Sequence, residues 1–130
     1  MAMILIVEDD IDLAETCSML LESSGYEVRV AHDVEEALRK IGEQKPDLLI
    51  SDCIMHGRTG LELSQQLREQ YSRSALPILL MSGSLRSQVA YGDSYDAFIA
   101  KPFLAESLLL QIKKLLNEGD AAVLKTGQSE

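Results

Sequence analysis

Aromatic side chains are scarce in this chain: four tyrosines and two phenylalanines, 5% of 130 residues. So thin a supply excludes a platform of stacked rings for single-stranded nucleic acid. Positive charge is short too, with 12 lysines and arginines against 21 acids and a formal net charge of −9. That balance repels a phosphate backbone, and no basic stripe offsets it, so direct nucleic-acid binding by this chain is not expected. Most of the acidic surplus reads as solvated helix surface. Cysteine occurs only as Cys17 and Cys53, without CxxC spacing, and neither His32 nor His56 has a second histidine at ligand spacing. That pattern argues against a zinc site, and both histidines read as surface or loop residues. Cys53 reads as packed rather than reactive, and the setting expected is reduced and cytoplasmic. Long apolar runs are missing as well. The first, Met3 to Val7, gives way at once to Glu8, Asp9 and Asp10, too short for a membrane span and too acidic for a signal peptide.

What is present suffices for one core. A hydrophobic content of 46% and a charged content of 25% over 130 residues are ordinary for a single globular domain. The pattern centres on DLLISDCIMHGRTG, from Asp47 to Gly60, where a buried strand delivers Asp52 to a turn-rich loop. Strands are predicted at 3–7, 27–31, 48–51, 78–81 and 97–100; the second, with Val28 and Val30 inward, belongs nearer the sheet edge. Leu13, Cys17, Leu20 and Leu21 mark a helix capped by Asp10 or a neighbour and closed at Gly25. Asp33 with Glu36, and Thr59 with Glu62, are capping-box starts for two more. A short, weak helix is predicted around 85–91, and Leu108, Leu109, Ile112, Leu115 and Leu116 stripe a last helix ending at Gly119. Five strands alternating with five helices imply right-handed crossovers, hence an α/β doubly wound parallel sheet.

In such a sheet the carboxyl ends of the strands open on one edge, so Glu8, Asp9, Asp52, Ser82 and Lys101 can converge. Three neighbouring carboxylates repel one another, and a hard divalent cation such as Mg²⁺ relieves the repulsion through oxygen ligands. A lysine and a hydroxyl would then face an anion. These are the parts that phosphoryl transfer to a carboxylate requires. Each residue also has a plainer role: Asp9 and Asp10 as helix caps, Ser82 as a turn former, Lys101 as a solvated lysine.

ILIVED (4–9), SDCIMHGRTG (51–60), LPILLMSG (76–83) and AKPF (100–103) stand in one order. In them the sequence resembles the receiver domain of bacterial two-component response regulators, over about residues 3–117. The resemblance implies a flavodoxin-like sheet of order 2-1-3-4-5, a receiver over 1–119, and a tail or linker start at 120–130. It implies Asp52 as phosphoacceptor, Asp9 as a direct Mg²⁺ ligand, Glu8 acting through water, and the Ile54 carbonyl as a further ligand. Ser82 and Lys101 would contact the phosphoryl oxygens, and Phe98 would be the aromatic that moves with Ser82. The implied donor is the phosphohistidine of a sensor histidine kinase or phosphotransfer protein, with signal passed to an effector rather than turnover of a metabolite. A dimer formed on phosphorylation falls within the same resemblance.

The chain departs from the family pattern at three points. His56 replaces the usual proline, the Ser82-to-Lys101 segment is about one helical turn short, giving a short fourth helix, and Phe98 lacks a tyrosine hydroxyl. The short segment and His56 motivate a competing reading, a docking module that works without phosphorylation. A flavin-binding or hydrolytic enzyme has fold analogy only, and the glycine-rich loop of a nucleotide site is missing.

Overall fold

Apolar runs of four or five residues are too short for helices, and in the computed structural model each becomes a strand. The structure describes residues 1–55, 57–83 and 94–117. The strands are β1 (Met3–Val7), β2 (Glu27–Ala31), β3 (Leu48–Asp52), β4 (Ile78–Ser82) and β5 (Ala97–Ala100). They form one sheet of order β2-β1-β3-β4-β5 in which every pairing is parallel. That is the doubly wound, flavodoxin-like order expected. β3 and β4 each run one residue further than predicted, because ladder pairing holds Asp52 beside Met81 and Ser82 beside Ala100.

Among the described residues there are four helices: α1 (Ile11–Ser23), α2 (Val34–Glu43), α3 (Gly60–Arg68) and α4 (Ala105–Leu115). His56, the short helix expected around 85–91, Gly119 and the 120–130 tail lie outside the described residues. Side-chain caps begin three helices. Asp10 Oδ1 accepts the Leu13 N–H at 3.1 Å, and Asp33 Oδ1 accepts that of Glu36 at 2.7 Å. Thr59 and Glu62 exchange both bonds of a capping box. The Asp33 start differs from expectation: the Glu36 carboxylate accepts the N–H of His32, not that of Asp33. α1 ends where Gly25 takes φ +98°. α4 stops at Leu115, before the expected Gly119, because Asn117 is left-handed at φ 64°, a conformation asparagine tolerates.

Strand alternation sends successive side chains to opposite faces, and β1, β3 and β4 are buried throughout. Leu5, Val7, Leu49 and Leu80 pack on one face with Val34 and Ile41 of α2 and Leu63 and Leu67 of α3. Ile4, Ile6, Ile50 and Met81 pack on the other with Cys17 and Leu21 of α1 and Leu108 and Ile112 of α4. Each fully buried leucine or isoleucine stabilises the fold by about 1.5–3 kcal/mol.

At the amino edge of the sheet Asp96 ties β4, β5 and α3 together. Its carboxylate accepts from Arg68 Nη2 at 2.6 Å, Arg73 Nη1 at 2.9 Å and the Ile78 N–H at 2.7 Å.

Candidate metal centre

β1, β3, β4 and β5 are parallel, so their carboxyl ends bring Glu8, Asp9, Asp52, Ser82 and Lys101 to one edge. One carboxylate oxygen from each of Glu8, Asp9 and Asp52 lies within 4.8 Å of the others. Capping falls to Asp10. Glu8 is 1% exposed, Asp52 7% and Ser82 1%. Lys101 Nζ reaches two of the acids, 3.0 Å from Glu8 Oε1 and 3.2 Å from Asp52 Oδ2. Its backbone N–H donates to the Ser82 carbonyl at 2.8 Å, which fixes the end of β5 against β4.

These charges shape one another. Burial pushes the Glu8 carboxyl above its ordinary range and outweighs the Asp10 N–H and the Lys101 ammonium, which pull it down; the Asp52 charge adds to the rise. Burial pulls the Lys101 ammonium down, but its hydrogen bond to Glu8 and the Asp52 charge more than offset that, and its pKa ends above the ordinary lysine value. Glu8 Oε2 also accepts the Asp10 N–H at 3.1 Å.

Ile54 lies two residues past β3 and is 53% exposed. Phe98, paired with Leu80, is half-buried against the α2 and α3 face of the core. Cys53 is buried in that core, as expected, and burial ahead of the Asp52 charge pushes its thiol up to about 12.

Two residues matter more here than sequence reasoning gave them. Gly60, seen only as a turn former, begins α3 with its N–H on the Cys53 carbonyl at 2.8 Å. A Cβ there would overlap the Asp52 carbonyl. His32, taken for a plain surface histidine, is exposed, but its ring Nδ1 lies 3.0 Å from the Glu8 carbonyl oxygen. A glycine as the first residue after a capping threonine was the available signal for the first; nothing in the local pattern pointed to the second.

The profile of the response regulator receiver domain matches residues 4–113. The chain belongs to that family. Response regulator MprA of Mycobacterium ulcerans is 39% identical over 116 residues, which cover 87% of this chain and 49% of that protein. MprA of Mycobacterium tuberculosis is equally identical, with 50% of its length covered. The chain therefore spans about half the length of the curated relatives it matches. Among solved structures, TrrA of Thermotoga maritima, in complex with Mg²⁺-BeF, aligns with TM-score 0.81 and 30% identity over 88% of this chain and 99% of that one. Chemotaxis response regulator CheY4 of Vibrio cholerae aligns with TM-score 0.80 and 32% identity over 88% and 98%. Receivers are signalling modules of two-component systems, not enzymes that turn over metabolites. No helix among the described residues is long and apolar enough to cross a membrane.

Proposed function

We propose that this receiver accepts a phosphoryl group on Asp52 from the phosphohistidine of a sensor histidine kinase or phosphotransfer protein, with Mg²⁺ beside it. It then signals to an effector by a change of conformation. The observation that carries this reading is the meeting of three carboxylates within 4.8 Å, with Lys101 Nζ on two of them. Burying charge opposes folding by several kcal/mol per ion before pairing, and a surface used only for docking has no need of it. The docking-module alternative is therefore not favoured.

An all-oxygen, acidic, mostly buried donor set suits a hard divalent cation. Asp9, Asp52 and the Ile54 carbonyl would hold Mg²⁺ directly and Glu8 through water. Bound there, the ion supplies positive charge to the oxygens of the phosphoryl group in flight. Asp52 attacks phosphorus in line; its O–P bond forms as the donor's P–N bond breaks, and that electron pair returns to the imidazole nitrogen. Lys101, already against Asp52 Oδ2, pairs with one phosphoryl oxygen, and the Ser82 hydroxyl donates to another. The new charge draws on Ser82 at the end of β4, and Phe98, which pairs in β5 with Leu80 two residues before Ser82, repacks with it. Slow self-catalysed hydrolysis of the aspartyl phosphate resets the switch. Residues 1–119 form the receiver and 120–130 a tail or the start of a linker, with the cytoplasm as the setting and a phosphorylation-dependent dimer as one form of output.

An acyl-phosphate donor with Mg²⁺ tests this by intact mass. Wild type should gain one phosphate, and Asp52→Ala or wild type with chelator none. Equal labelling of wild type and Asp52→Ala defeats the assignment.

A further inference from the structure

We propose that His32 is a positioning residue for the acidic cluster, using its ring Nδ1–H to set the peptide that joins Glu8 to Asp9. This rests on the reading of Glu8 and Asp9 as magnesium ligands. The β1–β2 ladder ends at Val7 and Ala31, so the Glu8 backbone lies just past it. Two groups from the β2 exit nevertheless grip that backbone. The Ala31 carbonyl accepts the Glu8 N–H at 2.9 Å, and His32 Nδ1 sits 3.0 Å from the Glu8 carbonyl oxygen.

A carbonyl only accepts, so Nδ1 carries the proton of this bond. The Glu8 C=O and the Asp9 N–H belong to one planar unit, so fixing the first orients the backbone from which the Asp9 side chain departs. His32 is itself anchored. Its own N–H donates to Glu36 Oε1 at 2.8 Å, and the next residue, Asp33, caps α2. A continuous set of bonds thus runs from the start of α2 through His32 to the loop that carries two of the three acids. Because His32 is exposed, its ring can be replaced without opening the core.

Side-chain geometry supplies the test. The amide nitrogen of asparagine can occupy the place of ring Nδ1, whereas that of glutamine reaches the place of Nε2. Mg²⁺ affinity is measured by titration for wild type, His32→Ala, His32→Gln and His32→Asn, with Asp9→Ala as the reference for lost binding. Ala and Gln should weaken binding roughly 3- to 10-fold, and Asn should stay within about twofold of wild type. The metal-free melting temperatures of the His32 variants should match wild type. Should Ala fold poorly, the Gln and Asn pair carries the comparison. An independent readout without metal is a through-bond NMR coupling between His32 Nδ1 and the Glu8 carbonyl carbon, expected in wild type and absent in Gln. Wild-type Mg²⁺ binding with all three His32 variants alike, or with Asn as weak as Ala, overturns the proposal alone. Failure of wild type to bind Mg²⁺, with the coupling present, overturns the magnesium reading and this proposal with it.

Discussion

Replacing Gly60 with alanine adds a single methyl group, yet it should damage both fold and site. The new Cβ would overlap the Asp52 carbonyl and lie 3.0 Å from Ser51 Oγ. The obstacle is backbone at the end of a paired strand, so the α3 start and the β3 end must separate. That movement strains the Gly60 N–H bond to the Cys53 carbonyl, now 2.8 Å, and draws Asp52 from Lys101, now 3.2 Å away. Overpacking of this kind destabilises by about 1–3 kcal/mol. A misplacement near 1 Å at a reacting group slows chemistry by about 10²-fold. Urea unfolding reads the first effect, and the rate of Asp52 labelling by acyl phosphate reads the second. Gly42→Ala is the internal control. Nothing lies within 4 Å of a Cβ there, so the same substitution inside α2 should stabilise by about 0.5–1 kcal/mol. If Gly60→Ala unfolds and labels like wild type, the close approach does not position Asp52.

Three more outcomes are expected from charge and burial. Glu8 has a raised pKa in the folded state, so the metal-free protein gains stability from its proton at low pH and loses it as pH climbs from 4.5 through the raised value. Glu8→Gln cannot ionise, and the stability difference between it and wild type should grow in favour of Gln across that window; a flat difference in metal-free urea unfolding refutes this. With Cys53 at about 12 and the Cys17 thiol also raised, chiefly by burial, a thiol reagent at pH 8 should modify neither in native protein and both in urea. Rapid native labelling would contradict the packing of both. Asp96→Ala removes the carboxylate that pairs with Arg68 and Arg73 and accepts the Ile78 N–H, leaving the arginines only their carbonyl partners, and should destabilise by about 2–4 kcal/mol. A loss below about 1 kcal/mol in urea unfolding would mean that solvent replaces those bonds.

β1, β3 and β4 were legible because burial on both faces demands apolar runs, and β2 because a strand nearer the edge alternates, with Val28 and Val30 inward. β3 and β4 ran on through Asp52 and Ser82 because ladder pairing is indifferent to what a side chain carries. The acids and Lys101 were legible as a group since parallel strands bring the residues at their carboxyl ends to a single edge. His32 and Asp96 escaped for a shared reason. Each bonds to backbone or side chains far along the chain, His32 to a carbonyl 24 residues away and Asp96 to a guanidinium 28 away, and such contacts obey no period. The Glu36 bond to His32 was missed by one residue because a capping-box pattern specifies the spacing but not which of two adjacent N–H groups the carboxylate will choose.

The Lys101–Glu8 bridge spans the sheet from just beyond β5 to just beyond β1, passing over β3 and β4. An outermost strand has a neighbour on one side only, and here its far end is moored to the centre like a tent peg to the ridge. Any anion that recruits the Lys101 ammonium slackens that mooring. Amide hydrogen exchange along Ala97–Ala100 therefore becomes a gauge, read at the rim, of what has arrived at Asp52 in the middle.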